Sequence, residues 1–142
     1  MAVRISINNS EKLSKIIENI TSVRLTSPIT GITTDSRDCK SGDLYIALLG
    51  DRTNGHNYLQ DVDKMNASAA LISEQNSNQK LSLHQIIVED TRKTLGLIAN
   101  KWRNIFNIPV IAITGSNGKT STKELLYHVL QDKYNVHATE GN

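Results

Sequence analysis

The chain has 142 residues, of which 38% are hydrophobic and 21% charged, a composition typical of globular proteins that argues against disorder throughout. Its 16 Lys and Arg balance 14 Asp and Glu to a net charge of +2, with no basic cluster and only 4% aromatic residues, so nucleic acid is not an expected partner. One cysteine, Cys39, and apolar runs far shorter than the roughly 20 residues of a membrane helix predict a cytoplasmic protein without a membrane contact.

The spacing of apolar residues predicts alternating helices and strands in the first part of the chain. A helix is expected after Ser10, which stands where it can cap the first turn, because four apolar residues follow helical spacing: Leu13, Ile16, Ile17 and Ile20. A shorter helix is expected around Leu59 and Val62. Apolar or β-branched runs predict strands over residues 32–34, 44–49, 69–72 and 85–88, with a polar surface stretch over 73–82. Such alternation is typical of an α/β fold.

A second strong helix is predicted after residue 89, where Asp90 or Thr91 can cap its first turn. Its apolar residues follow spacings of three and four until Pro109 interrupts the pattern; they are Leu95, Ile98, Trp102, Ile105 and Phe106. We expect this helix to bridge two domains, one over residues 1–89 and one over residues 90–142. Residues 110–113 then read as a short, fully apolar strand.

A strand, a glycine-rich turn, a Lys-Thr pair and a helix follow one another after residue 109, an order typical of phosphate-binding loops. The two glycines allow backbone N–H groups to approach phosphate oxygens, and the N-terminus of the helix adds its positive dipole end. The Lys119 ammonium would contact the β- and γ-phosphates, and the Thr120 hydroxyl would bind Mg²⁺. We therefore predict an ATP site over one continuous run: Gly115, Ser116, Asn117, Gly118, Lys119, Thr120 and Ser121.

The loop departs from the general phosphate-loop pattern, which requires a further glycine at the position of Ile113. It is thus a shortened form, and a plain strand-to-helix turn at Asn117-Gly118 is the alternative. Residues 114–124 resemble the shortened ATP loop of the Mur ligases, which add amino acids to peptidoglycan precursors. Within that family, Ser116 and the Lys123-Glu124 pair resemble the members that add D-alanyl-D-alanine, the MurF type.

Upstream residues extend the resemblance from about Ile29 to the end of the chain. Residues 34–37 followed by 42–48 are similar to the N-terminal signature of the family. Residues 54–58 resemble the Asp-Gly-His-Asp-Phe run of the MurF type, with Asn54 where Asp is usual. The fold that the resemblance implies is a small mixed-sheet substrate domain, followed by the first βα unit of a P-loop ATPase domain.

The resemblance also implies an activity and a set of site residues. It implies ATP-dependent joining of D-alanyl-D-alanine to UDP-N-acetylmuramoyl-tripeptide through an acyl phosphate, by a monomer with Mg²⁺ as cofactor. Lys119 and Asn142 would be catalytic. The residues expected to bind the UDP end of the substrate follow two neighbouring strands: Thr34, Ser36, Arg37, Asp51, Arg52 and Thr53. Of these, Arg37 or Arg52 would contact the diphosphate.

Three alternatives remain open. A MurE-type ligase adds the third amino acid by the same chemistry, and a folate-type polyglutamate ligase shares the shortened loop but has no use for residues 34–37. A non-catalytic module would bind the UDP-sugar peptide without turning over ATP. Only 22 residues follow Thr120, fewer than the roughly 30 of one βαβ unit. We therefore expect the chain to be the front of a longer enzyme and to be inactive by itself.

Overall fold

The computed structural model of the chain describes residues 4–51, 53–73 and 81–139. The chain divides into two compact units, Met1–Phe106 and Asn107–Asn142. The boundary predicted after residue 89 differs from this division by one helix, Thr91–Arg103, which packs against the helix Ser10–Thr21 inside the first unit. Two of the predicted site residues, Arg52 and Asn142, lie outside the described residues.

Where the structure describes it, the first unit is a five-stranded mixed sheet with three α-helices, which confirms the predicted α/β class and mixed sheet. Its strands are β1 (Ile5–Ser6), β2 (Gly31–Thr33), β3 (Asp43–Ile46), β4 (Ala69–Ser73) and β5 (His84–Val88). Its helices are α1 (Ser10–Thr21), α2 (Leu59–Lys64) and α3 (Thr91–Arg103), with 3₁₀ turns at Ser36–Asp38 and Gly55–Tyr58. The strands lie in chain order; β1 is antiparallel to β2, and β2 to β5 are parallel.

The sheet is buried on both faces because successive side chains of β3 and β4 alternate between two apolar clusters. One cluster joins the sheet to α1 and α3: Leu13, Ile17, Ile29, Leu44, Ile46, Ala69, Leu71, Ile86 and Ile98. The other joins the opposite face to α2: Cys39, Tyr45, Ala47, Leu59, Val62, Ala67, Ala70, Ile72 and Leu83. This two-sided burial explains why a central strand such as β3 is a nearly continuous run of apolar residues.

The N-terminal caps of α1 and α3 are both supplied by the residue that precedes the helix. Asn9 caps α1, its side-chain oxygen accepting from the Lys12 N–H at 3.2 Å, so the prediction that Ser10 caps this helix is wrong by one position. Asp90 caps α3 by accepting from the Lys93 N–H at 2.9 Å. The neighbouring Thr91 is free for another role, and its hydroxyl donates to the buried Ala47 carbonyl at 2.8 Å, where β3 ends.

A buried ion pair at the amino end of the parallel strands holds β1 in place beside β2. Arg4 makes two hydrogen bonds to the Asp43 carboxylate, each 2.7 Å long, and Asp43 has no solvent-exposed surface. The Lys40 N–H donates to the same carboxylate at 2.9 Å. Glycine is required at Gly31, because a Cβ there would lie 2.5 Å from Asp43 Oδ1. The sequence patterns predicted neither β1 nor this pair.

The second unit contains one helix among its described residues, α4 (Lys119–Gln131). The strand predicted over residues 110–113 is not formed, and Val110 and Ile111 are well exposed. A strand exists only by hydrogen bonding to a neighbouring strand, and residues 107–139 contain no second strand that could pair with this run. No helix in the described part of the chain is long and apolar enough to cross a membrane.

Candidate functional site

The predicted phosphate loop lies at the N-terminus of α4, where Gly118 is the capping residue. Gly118 has φ +75°, a left-handed conformation that L side chains rarely adopt, and it turns the chain into the helix. The first helical hydrogen bond runs from the Thr122 N–H to the Gly118 carbonyl at 2.9 Å. Gly118 has no side chain with which to cap the first-turn N–H groups of the helix.

Lys119 closes the loop on itself. Its ammonium donates to the Gly115 carbonyl at 2.9 Å, which holds the positive charge beside the exposed backbone of Gly115, Ser116 and Asn117. A helix N-terminus, a mobile ammonium and a glycine-lined backbone together make a cradle suited to a polyphosphate. The residues therefore fit the nucleotide that the sequence predicts.

Thr120 and Ser121 occupy the first turn of α4 and are both exposed. A hydroxyl in that turn fits the predicted role of Thr120 as a ligand of nucleotide-bound Mg²⁺, a cation that keeps several waters and takes few protein ligands. Within the described ranges, no three His, Cys, Asp or Glu side chains gather as a metal site. Thr120 thus remains a predicted ligand of a nucleotide-bound metal, and Asn142, the other predicted catalytic residue, is outside the described residues.

The described residues among the predicted substrate-binding set lie at the carboxyl ends of the parallel strands. Thr34, Ser36 and Arg37 follow β2, and Asp51 and Thr53 follow β3, the neighbouring strand. Open α/β sheets bind their ligands at this edge, because the loops after adjacent parallel strands converge there. The described candidates, separated in the sequence, therefore belong to one edge of the sheet.

Asp35 organises the turn after β2. Its carboxylate accepts from the Arg37 backbone N–H at 3.0 Å and from Arg37 Nε at 2.9 Å, while its own N–H donates to Thr33 Oγ1 at 3.1 Å. The hydrogen bonds from Arg37 lower the pKa of Asp35 to about 2. The Arg37 side chain is 86% exposed. The carboxylate thus directs an exposed guanidinium, a suitable donor to a diphosphate.

The loop after β3 is attached to the sheet at its base and exposed at its tip. The Gly50 N–H donates to the Thr53 carbonyl at 2.9 Å, and the Gly55 N–H donates to the Leu48 carbonyl at 2.8 Å. The buried Tyr45 hydroxyl donates to the Gly55 carbonyl at 3.0 Å, and burial raises the pKa of this phenol to about 12. The fixed base leaves the Thr53 side chain facing solvent.

His56 connects this loop to the end of β4. The imidazole is 3% exposed; its Nδ1 lies 2.7 Å from Asn54 Oδ1, and its Nε2 accepts the Ser73 backbone N–H at 3.0 Å. The prediction that His56 is a satisfied polar residue rather than a catalytic base agrees with these contacts. Burial lowers the pKa of the imidazole, which disfavours its charged form.

Four residues that support this edge were not among the predicted site residues: Asp35, Tyr45, His56 and Thr91. Asp35 was visible in the sequence as a polar residue just after a strand, the position from which such side chains cap turns. His56 lies inside the 3₁₀ turn Gly55–Tyr58, and the sequence indicated only a capping or satisfied polar residue. Tyr45 and Thr91 carry no such signal, because a tyrosine in an apolar run and a threonine at a helix start are equally typical of simple packing. Their contacts depend on tertiary structure.

Two family models match this chain. The model described as the Mur ligase family, catalytic domain, matches residues 28–103, and the Mur ligase middle domain matches residues 113–142. The first match covers strands β2 to β5 and their carboxyl-edge loops, and the second includes the predicted phosphate loop and α4. The resemblance seen in the sequence is therefore confirmed on both units.

Curated relatives and solved structures agree with the family models. The chain is 37% identical over 130 residues to a UDP-N-acetylmuramoyl-tripeptide--D-alanyl-D-alanine ligase of Synechocystis, covering 92% of this chain and 29% of the relative. It is 38% identical over 104 residues to a UDP-N-acetylmuramoyl-L-alanyl-D-glutamate--2,6-diaminopimelate ligase of Aquifex aeolicus. This match covers 72% of this chain and 21% of the relative. The crystal structure of MurF ligase from Thermotoga maritima in complex with ADP superposes on this chain with a TM-score of 0.70 at 32% identity. The superposition covers 78% of this chain and 25% of the Thermotoga maritima chain.

The chain spans less than a third of the length of these relatives. The match to the catalytic-domain model extends over more than half of the chain. The middle-domain model then matches residues 113–142, which include the loop whose geometry suits a polyphosphate. The chain belongs to the Mur ligase family.

Proposed function

We propose that the chain supplies the UDP-binding domain and the phosphate loop of a MurF-type ligase, which joins D-alanyl-D-alanine to UDP-N-acetylmuramoyl-tripeptide with ATP and Mg²⁺. The observation that carries the proposal is the loop at the start of α4, where Lys119 lies beside a glycine-lined backbone. The relative from Synechocystis bears the name of that ligase, and the Thermotoga maritima enzyme was crystallised with ADP. We assign residues 1–89 to the UDP-binding domain and residues 90–142 to the start of the ATP-binding domain.

The proposed chemistry solves a leaving-group problem. A carboxylate is a poor acyl donor because oxide would have to leave, so the terminal carboxylate of the tripeptide is first phosphorylated. The amine of the dipeptide then attacks the acyl carbon and phosphate leaves, which forms the amide bond. Lys119 and the first-turn N–H groups of α4 would hold the phosphates and offset their negative charge as the phosphoryl group transfers. Mg²⁺, held in part by Thr120, would add charge neutralisation when bound.

The carboxyl edge of the first unit is the proposed site for the UDP end of the substrate. The Arg37 guanidinium, directed by Asp35, provides charge for the diphosphate, and the hydroxyls of Thr34, Ser36 and Thr53 provide hydrogen-bonding groups. The sequence candidates Asp51 and Arg52 belong to the same loop as Thr53. In this proposal, substrate binding belongs to the first unit and phosphoryl transfer to the second.

Calorimetric titration with UDP tests the first assignment. Ser36→Ala and Arg37→Ala should each weaken UDP binding, because each removes a polar group from the proposed site. Lys64→Ala is a matched control, since Lys64 is also an exposed cation but lies at the end of α2, away from the carboxyl edge. Heat of binding that is absent for the unmodified chain, or equal in all variants, would contradict the assignment.

ATP titration tests the second assignment. Lys119→Ala should weaken ATP binding, whereas Lys133→Ala, which removes an exposed lysine beyond the end of α4, should not. The 142 residues alone should release no phosphate from ATP in the presence of both ligation substrates. Steady release would show that the chain is catalytically complete and would overturn that part of the proposal.

A MurE-type activity is the second candidate, because the Aquifex aeolicus relative carries that name at similar identity. The two types act on UDP-linked peptides of different length. Binding of the UDP-linked tripeptide in preference to the dipeptide would support the MurF type, and the reverse preference would support the MurE type.

A further inference from the structure

The hydrogen bonds around His56 determine its protonation state. The Ser73 backbone N–H can only donate, so Nε2, which lies 3.0 Å from it, must be an unprotonated acceptor. The His56 backbone N–H likewise donates to Asn54 Oδ1 at 3.0 Å, which identifies that atom as the oxygen of the amide. Nδ1, 2.7 Å from the same oxygen, therefore carries the proton and donates. His56 is a neutral imidazole in the Nδ1–H tautomer.

Each of these hydrogen bonds joins a different part of the carboxyl edge. Asn54 is the last residue of the loop after β3 before the 3₁₀ turn, and Ser73 is the last residue of β4. The imidazole is 3% exposed, so water does not replace a lost partner easily. His56 thereby couples the position of the loop to β4, an interior strand of the sheet.

Other hydrogen bonds between described residues also hold the loop base. Tyr45 Oη holds the Gly55 carbonyl at 3.0 Å, and the Gly55 N–H bonds the Leu48 carbonyl at 2.8 Å. Gly50 and Thr53 are bonded to each other within the loop, which shapes the tip without attaching it to the sheet. The Ala47 N–H donates to the Leu71 carbonyl of β4 at 3.0 Å where the loop begins, and His56 links the far end of the loop to β4.

We propose that His56 is a positioning residue that, as the Nδ1–H tautomer, joins the loop after β3 to the end of β4 and so holds Asp51 and Thr53 in place for a nucleoside diphosphate. The proposal rests on the proposed function, because it takes the UDP end of the substrate as the ligand of this edge. His56 itself makes no contact with the ligand. Its contribution is to reduce the conformational freedom that the loop would otherwise lose on binding.

The first test is spectroscopic and does not depend on a ligand. Nitrogen-15 NMR of the histidine side chains should show His56 with a protonated Nδ1 and an unprotonated Nε2 at neutral pH. In His56→Ala, amide exchange at Gly50 and Gly55 should accelerate, while the Thr30 amide, bonded to the Gly42 carbonyl at the opposite edge, should exchange as before. A proton on Nε2, or unchanged exchange in the loop, would overturn the proposal.

The second test is UDP affinity, measured by calorimetry on the full chain. His56→Ala should weaken UDP binding roughly tenfold, since a loop released from β4 must be ordered again when UDP binds. His56→Gln should recover part of the loss, because the glutamine amide oxygen can accept the Ser73 N–H in place of Nε2. His84→Gln is the control; His84 begins β5 at the opposite edge.

Asn54→Ala keeps the test decisive if His56→Ala does not fold. It removes the acceptor of Nδ1 from a partly exposed side chain, and it should weaken UDP binding in the same direction. If the unmodified chain binds no UDP but amide exchange in the loop accelerates in His56→Ala as expected, the UDP assignment is wrong. The coupling of the loop to β4 is then still supported. If the chain binds UDP and folded His56 variants bind it equally well, the positioning role is wrong and the proposed function stands.

Discussion

Asp43 carries a fully buried carboxylate that two hydrogen bonds from Arg4 neutralise. Arg4→Ala should lower the free energy of unfolding by about 3 kcal/mol, because it leaves a buried charge without its partner. Urea denaturation followed by circular dichroism measures this change. Lys15→Ala, which removes an exposed ion pair with Glu11, is the control and should leave the midpoint nearly unchanged. A similar small shift in both variants would show that Asp43 does not depend on Arg4.

His56 makes stability depend on pH near neutrality. Burial lowers its pKa in the folded chain below the ordinary value of 6.5. Above 6.5 both states hold a neutral imidazole and the full contribution to stability is present. As the pH falls below 6.5, the unfolded chain takes up a proton that the folded chain resists, so stability declines until the lowered pKa is reached.

Denaturation midpoints between pH 7.5 and 5 check this expectation. The decline should be smaller in His56→Gln, which does not titrate. The carboxylates with lowered pKa, Glu11, Asp35 and Asp63, lose their stabilising contribution only below their ordinary values of 4.5 and 3.8, outside this window. An equal decline in the unmodified chain and the variant would assign the pH dependence to another group.

At the scale of elements, α3 and α4 make an informative pair because both have 13 residues. The inward face of α3 buries Thr91, Thr94 and Ile98, whereas no residue of α4 is buried among the residues described. Helices of this length are marginal without packing. Amide hydrogen exchange should therefore be slow in the centre of α3 and much faster in α4. Equal protection would mean that α4 is stabilised by more than its own hydrogen bonds.

The elements that the sequence predicted well are those whose pattern depends on local burial. α1 and α3 show helical spacing, and the parallel strands β3 and β4 are continuous apolar runs, so their positions follow from the chain alone. The two-residue strand β1 carries no such pattern, and it exists because it pairs with β2 and because Arg4 reaches Asp43. For residues 110–113 the sequence predicted a strand that is not formed, because an apolar run needs a neighbouring strand with which to pair.

The site was predictable to a similar extent and for the same reason. The order of residues in a phosphate loop is local, so a phosphate site over Gly115 to Thr120 could be predicted from the sequence, and the loop geometry suits that predicted role. The carboxyl-edge residues could be named only through family resemblance. Their arrangement depends on long-range contacts, such as His56 with Ser73 and Thr91 with Ala47, that no local pattern encodes.

At the scale of the whole molecule, both apolar clusters are built from residues between Leu13 and Ile98. A chain of residues 1–106 should therefore keep a cooperative thermal transition close to that of residues 1–142, because it retains both clusters complete. Scanning calorimetry of the two chains measures the comparison. Loss of the transition in the shorter chain would show that residues 107–142 contribute to the stability of the first unit.

The order of strands in the sheet is the same as their order in the chain. Each strand after the first therefore pairs with the one synthesised immediately before it, and no later strand must insert between two that are already paired. Such a sheet can grow by addition at one edge while the chain is still emerging from the ribosome, which limits the time for which a paired edge remains open to other chains. The topology thus favours assembly during synthesis, with the carboxyl-edge loops completed in the order in which the strands are added.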